Sequence, residues 1–189
     1  VVGGGPVNAA LARARLRSLN TPALRTSDAA AALGQSTFAA SQTLRRLAAA
    51  GLVTPVRHGL WWIERTIDPF RLPEHLTAPM PSYVSLQSAL HVHGAIEQIP
   101  VVVYVASLAR SQRIVTRQAT FSIHHLAPEV FGGFEETTVG VKLATLEKAL
   151  FDLAYLSGGG SRLFARLPEL ERPRRLRRAE LEQWIARIP

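Results

Sequence analysis

Apolar and small residues recur at helical spacing from Asn8 to Leu19 (Leu11, Leu16, Leu19), with Arg13, Arg15 and Arg17 between them. That pattern predicts a first helix ending near Asn20, before Pro22. Thr26 or Ser27 is placed to cap a second helix through Leu33, whose small face of Ala29, Ala30 and Ala32 permits close packing; Gly34 stops it. A third helix is expected from Ser36 or Thr37 to Ala50, closed by Gly51, after a turn of two or three residues. Leu52–Val56 and Leu60–Ile63 are short β-prone runs around Arg57-His58-Gly59, a hairpin with a basic tip. Helix, short glycine-containing turn, longer helix and basic hairpin is the order of a winged helix-turn-helix.

The text from Asp68 to Pro81 carries Pro69, Pro73, Pro79 and Pro81 without periodicity and reads as a linker or extended crossing segment. Beyond it, Ser85–His93 reads as a helix stopped by Gly94. Val101–Ala106, Arg113–Thr116, Thr120–His124 and Thr137–Val141 read as strands. Thr145 caps a helix to about Leu156, with Leu146, Leu150, Leu153 and Ala154 inward, and Gly158-Gly159-Gly160 reads as a flexible loop. Ser161–Leu167 and Ala179–Ile188 are two further short helices, the second with Leu181, Trp184, Ile185 and Ile188 on one face. The expected fold class is α+β: an N-terminal winged helix-turn-helix over residues 1–70, then a mixed α/β domain over residues 71–189.

Charge sharpens the functional reading. The chain of 189 residues carries 22 basic side chains against 14 acidic ones, a net +8, and all the basic ones except Lys142 and Lys148 are arginine. Arginine forks onto phosphates and guanine edges, which favours a nucleic-acid partner. A GC-rich coding sequence would also enrich arginine and alanine, so the distribution decides. Residues 1–70 hold eight arginines and three acids, the middle is nearly neutral, and residues 157–189 hold eight arginines and four acids. At 100° per residue, Ala40, Leu44 and Leu47 fall on one side of the third helix and Phe38, Ser41, Gln42, Arg45 and Arg46 on the other. The second set contains side chains that read base edges and phosphates. With Ser36 and Thr37 at the helix start and Arg57 and His58 at the hairpin tip, it forms the candidate DNA-binding surface. Arg172, Arg174, Arg175, Arg177 and Arg178 are candidate phosphate contacts, or a run that keeps the tail soluble.

Other chemistry finds little support. Cysteine is absent, which removes disulfides, thiolate metal sites and cysteine nucleophiles and points to a reducing cytoplasm. No apolar run reaches the length of a membrane helix, and Val1–Pro6 does not read as a secretory signal and is left out of the fold reading. His91 and His93 face roughly opposite sides of a helix, and His124 and His125 opposite faces of a strand, so each pair supplies one metal ligand at most. Structural, hydrogen-bonded histidines and no metal or cofactor are expected. Asp152 follows Lys148 by one helical turn, which makes an ion pair the economical account. Phosphate-loop, zinc-protease and nucleophile-elbow motifs are missing.

The stretch LRRLAAAGLVTPVRHGLWWI, Leu44–Ile63, looks like the end of a recognition helix and the wing of many prokaryotic transcription regulators. YVSLQSALHVHGAIEQIP (Tyr83–Pro100), followed by VYVAS, FSIHHLAPEVFGGF and VKLATLEKALFDLAYL, resembles the AbiEi family of type IV antitoxins and related transcriptional regulators. The resemblance covers about residues 25–156. It implies a non-enzymatic, double-stranded-DNA-binding repressor acting at repeated sites in its own promoter, encoded beside a nucleotidyltransferase-like toxin that it neutralises, directly or functionally. Alternatives are a protein-interaction antitoxin, a general transcription regulator without autorepression, and, least favoured, a metal-dependent nucleic-acid hydrolase using the histidines.

Overall fold

The computed structural model describes residues 9–158, 168–170 and 176–188 and shows a mixed α and β chain with two separate sheets. Spatial proximity divides it into two compact units, residues 1–67 with 116–118, and residues 68–115 with 119–189.

The first unit begins with α1 (Ala9–Arg17), β1 (Ala23–Arg25), α2 (Thr26–Leu33) and α3 (Thr37–Ala49), and continues into β2 (Thr54–Arg57) and β3 (Leu60–Trp62). Its strands form an antiparallel sheet in the order β1-β3-β2, with Leu24 opposite Trp61 and Pro55 opposite the same tryptophan on the other side. β1 escapes sequence patterning because three residues are too few to show alternation. On α1, the buried side chains are Ala12 and Leu16, whereas Leu11, and Leu19 just beyond the helix end, are exposed although they share the helical spacing of Leu16. A short helix covers α2 and α3 with one narrow line of contacts, and alanine supplies half of it.

The expected cap of α2 from Thr26 or Ser27 is replaced. Arg25 holds the N-cap position, and its N–H donates to Asp28 Oδ2 at 2.8 Å. Thr26 Oγ1 instead accepts from Trp61 Nε1 at 2.9 Å, which ties the helix start to the sheet. Gly34, at φ +63°, ends α2 in the left-handed conformation that side chains other than glycine adopt at a cost. Ala40, Leu44 and Leu47 join Leu16, Leu24, Ala29, Leu33 and Val53 in one core, as the wheel requires.

The second unit holds α4 (Pro73–Thr77), β4 (Ser82–Val84), α5 (Leu86–Val92), β5 (Val103–Ser107), β6 (Gln112–Val115), β7 (Thr120–His125), β8 (Phe134–Glu136), β9 (Lys142–Ala144), α6 (Leu146–Gly158) and α7 (Arg178–Ile185). Its six-stranded mixed sheet runs β6-β7-β5-β4-β9-β8, with β5 and β7 parallel, β4 and β9 parallel and the remaining neighbours antiparallel. The segment expected as a linker is ordered. Pro69–Arg71 forms a 3-10 turn and Pro73 starts α4, whose Leu76 is buried with the preceding Leu72. Proline at the first helical position loses no hydrogen bond, so a proline-rich stretch can still nucleate a short turn of helix.

The strand expected over Thr137–Val141 is a turn, and the strands β8 and β9 flank it. Thr137 Oγ1 accepts from the Val141 N–H at 3.0 Å, and Gly140 sits at φ +76°. The β-branched Thr137-Thr138-Val139 mimics a strand while the Thr137 side chain closes a loop. Thr145 does cap α6, its Oγ1 accepting from the Lys148 N–H at 3.2 Å. The buried face of that helix is nevertheless rotated from the expected one: Glu147, Lys148, Ala149, Phe151, Asp152 and Leu153 are buried, Leu146 and Leu150 only partly, and Ala154 is exposed. On α7, Trp184 is the buried residue, while Ile185 and Ile188 lie outside. The expected helix over residues 161–167 lies outside the described residues. Among the described residues no helix is long and apolar enough to cross a membrane.

Candidate nucleic-acid interface

Residues Gly34, Gln35 and Ser36 form the three-residue turn between α2 and α3. The Ser36 hydroxyl accepts from the Ala39 N–H at 3.2 Å and caps α3, which leaves its O–H able to donate outward. Gln35, missed in the sequence, fixes the turn because its Oε1 accepts from the buried Thr43 Oγ1 at 3.2 Å. Thr37 and Phe38 open the helix exposed, Phe38 to 76%, an unusual position for a large apolar ring.

Along the same helix Ser41 and Gln42 are half-buried, and Arg45 and Arg46 are exposed. Arg46 lies back on its own helix, its Nε donating to the Gln42 carbonyl at 3.4 Å and a terminal nitrogen to Thr43 Oγ1 at 3.5 Å. Arg57 ends β2 and His58 begins the β2–β3 turn, both exposed, and the next residue, Gly59, accepts at its carbonyl from the Thr26 N–H at 3.0 Å. One short unit therefore holds a capped helix start, an arginine-bearing exposed helix face and a basic hairpin tip, each anchored by hydrogen bonds behind it.

The C-terminal arginines divide. Arg172, Arg174 and Arg175 lie outside the described residues. Arg178 is the exposed first residue of α7. Arg177 is engaged in the fold, with its N–H on Glu147 Oε1 at 2.7 Å and its guanidinium 3.2 Å from Glu147 Oε2 and 2.8 Å from Glu180 Oε2. Burial works to raise the Glu147 carboxyl, yet the Arg177 donors outweigh it and hold that group below its usual range. A phosphate at Arg177 would have to displace two carboxylates.

Two of the histidines, His93 and His124, take hydrogen-bonded structural places, whereas His91 Nδ1 is buried without a hydrogen-bond partner among the described residues and His125 is exposed. His93 Nε2 donates to the Ala144 carbonyl at 2.7 Å, and buried His124 stacks on Tyr104 with its Nε2 2.9 Å from Ser122 Oγ. Among the described residues, no three histidine or carboxylate side chains gather in a metal-binding group. Burial lowers His124 to about 4, so the folded chain keeps it neutral where the unfolded chain, at about 6.5, takes a proton. The stabilisation from a neutral His124 should be complete above about pH 6.5 and lost as pH falls toward 4. Denaturant midpoints measured across that window should fall with a slope of up to one proton, and His124→Gln should flatten it; an unchanged slope in the variant would assign the acid sensitivity elsewhere.

The second unit conceals a constellation that sequence reasoning read as a simple helix pair. Lys148 and Asp152 form an ion pair with both side chains wholly buried. Asp152 Oδ2 also accepts from Ser85 Oγ at 2.6 Å and Tyr83 Oη at 3.0 Å. Burial pushes Asp152 up and Lys148 down from their ordinary values, the partner charge and the hydroxyl donors pulling the other way. Burial and the neighbouring carboxylate push the Tyr83 phenol far up, which keeps it a proton donor. The Lys148 ammonium rests 4.8 Å from the Phe151 ring centroid and 4.7 Å from that of Trp184. Ser85 reaches Asp152 from the β4–α5 junction, where Leu86 adopts φ +52°, a strained conformation for leucine. Tyr83, Ser85, Lys148 and Asp152 are all buried and bonded to one another, which is the chemistry of a satisfied buried charge.

Comparison of the chain with protein-family models and with curated proteins yields no match.

Proposed function

We propose that the first unit is a winged helix-turn-helix and that the chain is a DNA-binding antitoxin that represses its own operon and neutralises a nucleotidyltransferase-like toxin, without enzymatic activity of its own. One observation carries the DNA-binding part: α3 follows a three-residue turn and presents Phe38, Arg45 and Arg46 outward in a unit that also exposes Arg57 and His58 at a hairpin tip. Helix residues of these types read base edges in the major groove, and a basic hairpin meets the flanking phosphates. The antitoxin part is supported by the sequence resemblance over about residues 25–156.

A band-shift assay with the DNA upstream of the chain's own gene, against a random duplex of equal length, tests the reading. A specific shift that weakens steeply with salt is expected, and equal affinity for both duplexes would remove the repressor reading. Arg45→Ala should cost about 1–3 kcal/mol on the cognate duplex and relax discrimination at one base position. Gln42→Ala should behave alike, although its half-buried position limits its reach. An equal loss on random duplex would assign both to phosphates.

The double replacement of Arg57 and His58 by alanine should weaken all duplexes by similar factors and leave specificity intact. The salt slope should flatten by about one unit for the arginine. Titrations at three salt concentrations measure this, and an unchanged slope would place the hairpin away from DNA.

A further inference from the structure

On α3 the large apolar side chains part company: Leu44 and Leu47 are buried, and Phe38 is 76% exposed. Phe38 joins neither the core of the first unit nor the partly buried apolar residues packed around it. Phenylalanine is also a poorer helix former than alanine, so neither packing nor helix propensity accounts for a phenyl ring at this place. The backbone beneath it is firmly set. Phe38 is the second residue of α3, whose start is capped by Ser36 on the Ala39 N–H at 3.2 Å, and the preceding turn is braced by Thr43 donating to Gln35 at 3.2 Å.

The surroundings of the ring suit a polyanion. Arg45, also exposed, follows Phe38 by two helical turns on the same face, with the half-buried Ser41 and Gln42 between them. Residues 1–70 hold eight arginines against three acids, a balance that attracts phosphates. In a helix-turn-helix the first residues of the recognition helix meet the base edges of the major groove. Most of what those edges offer is hydrogen-bond donors and acceptors, which a phenyl ring cannot use. The apolar group on offer is the C5-methyl of thymine, and 5-methylcytosine carries the same group at the same ring position.

We propose that Phe38 reads the C5-methyl group of a pyrimidine, thymine or 5-methylcytosine, and that this methyl lies within about three base pairs of the base that Arg45 discriminates. The spacing follows from the helix: seven residues at about 1.5 Å each separate the two Cα atoms by about 10 Å, roughly three steps of 3.4 Å along the duplex. This assignment, which rests on the DNA-binding reading of the first unit, gives that surface a chemical preference. Arginine, glutamine and serine select by hydrogen bonds, and Phe38 adds selection for an apolar group that pairing alone does not reveal.

The test uses the full chain and the duplex upstream of its own gene, substituted one base at a time. Uracil in place of thymine removes the methyl and keeps the pairing; 5-methylcytosine in place of cytosine adds it. At one position wild type should bind about fourfold more weakly without the methyl, the worth of about one buried carbon. Whether the uracil or the 5-methylcytosine series responds identifies the base that carries the group. The response should shrink to less than about 1.5-fold in Phe38→Ala, as a double-mutant cycle requires of a direct contact, and survive in part in Phe38→Leu. Because the ring is exposed and alanine is the better helix former, Phe38→Ala should melt within about two degrees of wild type, so a lost response is not a lost fold. If wild type separates its own duplex from a random one and no methyl matters in either series, the methyl contact is overturned and DNA binding stands. The same holds if Phe38→Ala keeps the full response, or loses affinity equally with and without the methyl, which would place the ring elsewhere. Equal affinity of wild type for its own and a random duplex would remove the repressor reading and the methyl contact together.

Discussion

Replacing Lys148 by methionine should destabilise the second unit by about 3–5 kcal/mol, the range seen when one partner of a buried ion pair is removed and the other is left behind. The carboxylate of Asp152 is wholly buried, and with the ammonium gone it keeps the hydroxyls of Ser85 and Tyr83 as donors but no compensating charge. Its answer is to take a proton. The folded-state value of Asp152, already pushed up by burial, should rise further in the variant, so the deficit should be largest at neutral pH and shrink as the solution is acidified. Denaturant titrations at pH 7 and pH 5 measure both effects. Joint replacement of Lys148 by methionine and Asp152 by leucine should recover part of the loss, the remainder reflecting the two hydroxyls left without an acceptor. A single-variant deficit under about 1 kcal/mol and independent of pH would show that the pair contributes little to the fold.

Gly133→Val should cost about 2–4 kcal/mol, for two reasons that add. The backbone at φ +69° lies in the region a β-branched residue avoids, and the new Cβ would meet Trp184 Cζ2 at 2.5 Å and Lys148 Cγ at 2.9 Å. The indole is rigid, so it must leave its seat or the β8 approach must shift. Tryptophan fluorescence should then report a more solvated indole, with Trp184→Phe as a reference for the signals of Trp61 and Trp62. A variant with native fluorescence and a thermal midpoint within about a degree of wild type would show that the loop yields easily.

The first unit was largely legible because its signals are local. Gly34 and Gly51 hold positive φ where the hydrophobic pattern stops, Ser36 caps where the helix begins, and the apolar face of α3 repeats with helical period. Its hidden part was β1, which gains strand character from pairing with β3 across more than thirty residues. The second unit was read less well for a related reason. Lys148 and Asp152 on α6 look like surface residues because hydropathy assigns each side chain a separate cost, whereas burial of this pair is made tolerable jointly, by Tyr83 and Ser85 nearly seventy residues away. Thr137–Val141 illustrates the opposite error, since β-branched side chains favour strands on average and here serve a turn. At the candidate DNA surface the wheel located the exposed Phe38, Arg45 and Arg46 but placed Ser41 and Gln42, which are half-buried, on the same outer face; that Arg46 bonds along its own helix and that Thr43 and Gln35 brace the turn depend on side-chain conformations that periodicity does not carry.

The place of β4 in the larger sheet has a consequence for how the chain emerges from a ribosome. Val84 pairs with Val105 on one side and with Leu143 on the other, so the sheet's inner strand awaits a neighbour made roughly 60 residues later. At about 5–20 residues per second that delay is on the order of 3–12 s. Through that interval one edge of Ser82-Tyr83-Val84 is open and the hydroxyls of Tyr83 and Ser85 lack their carboxylate. The nascent chain therefore exposes an aromatic-bearing strand edge for seconds, while most of the first unit has been complete since Ile67. Slowing synthesis between Val84 and Asp152 should raise the aggregated fraction more than slowing it before residue 67.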